Sequence, residues 1–195
     1  MIDGMVMFWK AAIGIAEAAP PLQLFLAMTV LPLVGVPVSP FWIAAGIRLG
    51  PVAAMAASTA ALALNVALGY WLASGALRAP LSRWVAKRGY SIPRLRGAPE
   101  TQFIVMVRVA PPLPLAVQNY VLGLAGVGFG RYMLLSVPVQ AAYAFGFVWF
   151  GYSLTGSETW QLVLGAGTLV SILLAMNLVR AALRARLRGA GEPLA

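Results

Sequence analysis

Three prolines interrupt the long apolar stretch between residues 101 and 126, which reads TQFIVMVRVAPPLPLAVQNYVLGLAG. Arg108 is the one charge in this stretch, which is long enough to cross a bilayer as a helix. Pro111, Pro112 and Pro114 remove backbone donors and clash with the preceding turn, so they argue against one straight helix. Backbone groups freed inside a membrane must be satisfied by protein or by trapped water. The sequence therefore predicts a re-entrant hairpin, in which one half-helix enters, the chain turns at the prolines, and a second half-helix leaves on the same side.

The composition predicts an all-α, polytopic membrane protein. The chain of 195 residues is 61% hydrophobic and only 10% charged, whereas soluble domains carry about 25% charged residues. Its apolar runs are continuous rather than alternating, which indicates helices and not a β-barrel. The net charge of +9 is better explained by basic cytoplasmic loops facing an anionic leaflet than by binding to nucleic acid.

The reactive side chains are sparse. The chain has no cysteine and no histidine, and none of its five acidic residues lies inside a strongly apolar run. These absences leave no catalytic triad, metal-ligand set or carboxylate pair. We therefore expect no enzyme activity, no cofactor and no metal site.

The first half of the chain predicts a second re-entrant hairpin. Residues 18–47 carry no charge and are broken by five prolines. In both halves a proline cluster is followed by two glycines and then by an apolar span, which is typical of an inverted repeat with a site at the membrane midplane. The predicted turn residues are Pro37, Pro40, Gly46 and Gly50 in the first hairpin, and Pro111, Pro112, Pro114 and Gly123 in the second.

The remaining segments surround these hairpins. Residues 1–20 predict an interfacial helix, with the start of a first span as the open alternative. Residues 21–155 form the membrane domain, with spans at 51–73 and 132–154 and a basic linker at 74–99. A C-terminal transmembrane helix at 156–180 leads into a basic tail at 181–195. The excess of Lys and Arg places the linker and the C-terminus in the cytoplasm.

Arg108 and Asn119 are the candidate headgroup-binding residues. A guanidinium suits a lipid phosphate because it forms forked hydrogen bonds, although Arg108 could instead satisfy carbonyls freed by the helix break. Asn119 could offer its amide to the same headgroup or tie the hairpin to a neighbouring helix. The sequence leaves both pairs of alternatives open.

The second half resembles the DedA family, also called SNARE-associated or VTT-domain membrane proteins. The stretch RVAPPLPLAVQNYVLGLAGVGFGRY carries the resemblance. The matching residues there are Arg108, Pro111, Pro114, Asn119, Gly123 and Tyr132. The first half matches through Pro37, Ala44 to Gly46, Gly50 and the Gly69–Tyr70 pair. The resemblance covers roughly residues 30–155.

The resemblance implies two opposed hairpins in a multi-pass protein of the bacterial inner (plasma) membrane. It also implies a flippase or scramblase that moves a phosphate-bearing lipid, such as polyprenyl phosphate or a phospholipid. Many members place acidic residues in the first hairpin, whereas this chain has none there, so the resemblance does not carry over a carboxylate for proton coupling. A small-solute or ion transporter and a non-transporting assembly protein remain alternatives, and a homo-oligomer is possible.

Overall fold

The structure is a computed structural model that describes Gly14 and residues 18–89, 98–109, 113–156 and 159–189. The described residues are all-α, as the composition predicts. Their elements are α1 (Pro21–Val30), a 3₁₀ turn (Leu31–Val34), α2 (Ser39–Ser74), α3 (Arg78–Lys87), α4 (Ala98–Val109), α5 (Leu115–Ala125), α6 (Phe129–Ser153) and α7 (Thr159–Gly189).

Helix α2 is two helical segments joined at Gly50. This glycine has φ 71° and ψ 168°, which is a conformation that residues with a side chain rarely adopt. Pro51 follows at once and suits the first turn of the next segment, where its missing N–H is not needed. The break separates a half-helix at residues 39–49 from a long segment at residues 51–74. At 1.5 Å per residue the long segment measures about 36 Å.

Helix α1 and residues 39–49 form the first hairpin. The chain leaves the 3₁₀ turn through Gly35, whose φ is 93°, and re-enters helix at Ser39. At the open end of the hairpin, the Arg48 guanidinium donates to the carbonyl of Ala19. The tip therefore lies at residues 35–38, and the base lies beside the Gly50 end of the long segment.

Helices α4 and α5 form a second hairpin, whose base is closed by Glu100. The Glu100 carboxylate accepts hydrogen bonds from the Gly128 N–H at 2.5 Å and from Arg131 Nη1 at 2.8 Å. The Tyr70 hydroxyl donates to the Val127 carbonyl at 2.8 Å, which puts this base at the Ser74 end of α2. The two hairpins therefore approach residues 51–74 from opposite ends. Of the predicted turn residues, Pro111 and Pro112 lie outside the described residues.

Small residues let the hairpins pack closely on the long helices. A Cβ at Gly46 would collide with the Val148 carbonyl, and one at Gly151 with the Ile43 carbonyl, so α6 meets residues 39–49 backbone to backbone. A Cβ at Gly123 would come 2.7 Å from the Ala73 methyl group. Gly46 and Gly123 thus lie inside helices at close contacts, and not at the turns themselves.

Helices α2 and α6 are long and apolar enough to cross a membrane. The best windows have mean hydropathies of 1.7 and 1.5, and no more than 39% of either window is buried. A helix in the core of a soluble protein would be mostly buried, so the low burial favours contact with lipid. The third predicted span, in α7, has a shorter apolar run at Val163–Leu178.

The C-terminal helix is longer in the structure than the sequence predicts. Helix α7 continues to Gly189, past the predicted start of the basic tail at residue 181. The predicted N-terminal interfacial helix lies almost entirely outside the described residues.

Candidate functional site: a buried arginine between two hairpin tips

Arg108 is the centre of the candidate site. It lies in the last turn of α4 and is only 1% exposed. Its Nε donates to Ser136 Oγ at 2.8 Å, Nη1 to Gln118 Oε1 at 3.3 Å, and Nη2 to Asn119 Oδ1 at 2.9 Å. The guanidinium carbon also lies 5.1 Å from the centre of the Tyr132 ring. The three acceptors are side-chain oxygens from α5 and α6, so the guanidinium joins these helices to α4.

The polar contacts continue from Arg108 into the first half of the chain. Asn119 Nδ2 donates to Asn65 Oδ1 at 3.0 Å, and Asn65 Nδ2 donates to the Thr29 carbonyl at 2.7 Å. The Tyr132 hydroxyl lies 3.0 Å from Asn119 Oδ1 and also 3.0 Å from the carbonyl of Val66. Asn119 is therefore bound on both sides of its amide, and it orients the guanidinium while it ties α5 to α2.

The charge of Arg108 is met by neutral groups. Glu100 is the one acidic residue in the described part of the chain, and it pairs with Arg131. Among the described residues, amide, hydroxyl and aromatic groups surround the guanidinium, and neutral dipoles of this kind leave its positive potential in place. Such a site attracts an anion, because a counter-charge offsets the free-energy cost of burying the cation.

A cavity of about 330 Å³ opens at Arg108. Residues 35–38 at the tip of the first hairpin line it together with Ser39, and so do residues 113–115 at the tip of the second hairpin. Gln118, Gln140 and Leu173 add lining from α5, α6 and α7. The volume is at the lower end of the range for ligand pockets, which suits a compact polar group rather than a whole lipid.

A second cavity, of about 370 Å³, lies between α3 and α5. Helix α3 lies within the basic linker, and Leu77, Leu81 and Trp84 line this cavity. Its lining is apolar and lacks the polar groups that surround Arg108. We therefore place the candidate functional site at the first cavity.

The structure brings some of the predicted site residues together and places others elsewhere. Arg108 and Asn119 are in direct contact, and Pro37 and Pro114 line the cavity. Pro40 lies buried in the first turn of α2. Gly50 lies at the break in α2, away from the cavity.

The residue patterns did not single out four neighbours of the site. These are Asn65, Gln118, Ser136 and Trp42. Asn65 is the one amide in the apolar run 51–73, and an uncharged polar side chain inside such a run is a signal that could have identified it. Gln140 is also buried, and it donates to Gln118 Oε1 at 2.7 Å.

Neither a protein-family model, a curated protein nor a solved structure matches this chain. The resemblance to the DedA family therefore rests on the sequence residues that carry it.

Proposed function

We propose that this protein moves a phosphate-bearing lipid across the membrane, as a flippase or scramblase, and that the headgroup binds at Arg108. The observation that carries the proposal is the buried guanidinium, without a carboxylate partner among the described residues, at a cavity between two opposed hairpin tips. A phosphate crossing about 30 Å of hydrocarbon needs a stepping point that offsets the cost of its desolvation.

Arg108 has donors to spare for such a ligand. A guanidinium carries five N–H groups, and within the described residues three of them are engaged by Ser136, Gln118 and Asn119. The remaining N–H groups lie on the two Nη atoms, the pair that binds a phosphate in a forked arrangement. The neighbours hold the guanidinium in place, so little conformational freedom is lost when the ligand binds.

The geometry of the hairpins supports the following placement in the membrane. Residues 51–74 and helix α6 cross the bilayer, α7 adds a third span, and the two hairpins are re-entrant from opposite faces. Both tips then lie at the depth of Asn65 and Arg108, away from both interfaces. The basic linker with α3 and the C-terminus face an anionic cytoplasmic leaflet of the plasma membrane.

The lining of the cavity favours a lipid over a small solute. Apolar side chains such as Val36, Leu115 and Leu173 surround the polar groups at Arg108. Exposed apolar residues such as Leu64 and Leu134 cover the outer faces of α2 and α6. A headgroup could therefore pass along the cavity while its acyl chains stay in the surrounding hydrocarbon.

Reconstitution of the purified protein into vesicles tests the proposal. We expect a fluorescent phosphate-bearing lipid to change leaflets faster than in protein-free vesicles and faster than with Arg108→Gln at equal protein density. Lipid movement at the protein-free rate together with measurable flux of an anion or solute would favour a small-solute or ion transporter. Absence of both activities would favour a non-transporting assembly protein.

A further inference from the structure

The buried indole N–H of Trp42 has no hydrogen-bond partner among the residues that the structure describes. The residue lies in the half-helix 39–49, is 3% exposed, and packs its ring 6.0 Å from that of Phe147. Its Nε1 finds no acceptor in the part of the chain that the structure describes. Trp42 lines the same cavity as Arg108.

An unpaired buried donor calls for a physical explanation. Most buried polar side chains have a partner, and leaving one without a partner costs the desolvation of that group. The indole N–H is a donor only, so only an acceptor atom can satisfy it. Packing against Phe147 would be served equally well by an aromatic ring without a donor. A ligand with acceptor oxygens in the cavity would supply the missing partner.

We infer that Trp42 Nε1 is a second headgroup-binding donor of this cavity. It donates to an oxygen of the same phosphate that Arg108 binds, and this inference rests on the proposed function. Trp42 belongs to the first hairpin and Arg108 to the second, so a bound phosphate would bridge the two halves of the fold.

Thermal unfolding of the full chain in detergent, with and without dioleoyl phosphatidic acid, tests the inference. Dioleoylglycerol has the same acyl chains without the phosphate and serves as the ligand control. We expect phosphatidic acid, more than dioleoylglycerol, to raise the Tm of the native protein. Trp42→Phe keeps a ring against Phe147 and removes the donor together with part of the indole, so its Tm without ligand should be equal to or somewhat below the native value. Its apparent affinity for phosphatidic acid should fall about tenfold, as loss of a hydrogen bond to a charged group predicts.

Trp71→Phe is the matched control, because Trp71 is 61% exposed and lies away from the cavity. Its response to phosphatidic acid should equal the native response. If Trp42→Phe responds to phosphatidic acid as the native protein does, the inference is wrong while the proposed function stands. The difference between the Tm shifts caused by phosphatidic acid and by dioleoylglycerol should be larger for the native protein than for Arg108→Gln. If it is not larger, Arg108 does not bind the headgroup, and both the proposed site and this inference are wrong. Should Trp42→Phe not accumulate, Trp42→Met, whose flexible side chain adapts to the space that the indole leaves, also removes the donor and carries the same test.

Discussion

The side-chain amide of Asn119 donates to the side-chain oxygen of Asn65 at 3.0 Å. This bond ties α5, in the second hairpin, to the long segment of α2. Asn65 also donates to the carbonyl of Thr29 at 2.7 Å, at the end of α1 in the first hairpin. One fully buried residue therefore holds both hairpins to the same helix, at the level where Asn119 contacts Arg108.

We expect Asn65→Leu to destabilise the protein strongly. The change leaves the Thr29 carbonyl and the Asn119 amide without these partners, and each buried unsatisfied group costs about 1–3 kcal/mol. The free energy of unfolding should fall by about 2–4 kcal/mol, measured by thermal unfolding in detergent. Asn177→Leu is the control, because Asn177 is exposed on α7 and its replacement should change stability by about 0.5 kcal/mol or less. Equal stability of the two variants would show that the amide contacts of Asn65 contribute little.

Two glycine substitutions should have effects of opposite sign. Gly46→Ala places a methyl group against the carbonyl of Val148, and overpacking of this kind costs about 1–3 kcal/mol. Gly130→Ala, in the first turn of α6, meets open space and should stabilise the helix by up to about 1 kcal/mol, because alanine is the better helix former. Thermal unfolding of both variants measures the difference. A Gly46→Ala protein as stable as Gly130→Ala would contradict the close approach of α6 to residues 39–49.

Substitutions at Arg108 should lower the rate of lipid movement to different degrees. Arg108→Lys keeps the charge but loses the planar fork, so we expect partial activity in vesicles. Arg108→Gln loses the charge and most of the donors to Ser136, Gln118 and Asn119, so we expect near-complete loss of lipid movement. The measurement is the initial rate of leaflet exchange at matched protein density.

Arg83→Gln is the control for this series. Arg83 is an exposed residue of α3, so this variant should move lipid at the native rate. If Arg108→Gln folds, inserts and moves lipid at the native rate, the headgroup role of Arg108 is wrong. If Arg108→Gln fails to accumulate while Arg108→Lys accumulates normally, Arg108 is required chiefly for the fold.

Much of the helical framework could be predicted from the sequence, because proline and glycine act locally. Pro51 and Gly50 define the start of the long segment of α2, and Pro114 defines the start of α5. The charge pattern identified Arg108 as the unusual residue, since it stands alone in an apolar stretch.

The neighbours of Arg108 could not be predicted in the same way. Ser136 lies 28 residues from Arg108 in sequence and contacts it only because α6 packs against α4. Asn65 is joined to Asn119 across 54 residues, and no local pattern gives that pairing. The unpaired N–H of Trp42 likewise becomes visible only when the atoms around it are known. These are long-range packing relations, and a single sequence does not encode them in any short window.

The proposed topology predicts that Ser82 and Thr155 face opposite sides of the membrane. Ser82 is exposed in α3, just beyond the Ser74 end of α2. Thr155 is exposed after α6, whose C-terminal end packs through Gly151 on residues 39–49, beside the Gly50 end. The intervening segment, residues 51–74, measures about 36 Å, which exceeds the hydrocarbon thickness of about 30 Å.

Because the chain has no cysteine, Ser82→Cys and Thr155→Cys can each be labelled singly with a membrane-impermeant maleimide, against the parent as background. We expect Ser82→Cys to react only from the cytoplasmic side, where the proposed topology puts the basic linker, and Thr155→Cys only from outside. Labelling of both from one side would rule out opposed hairpins around a membrane-spanning α2.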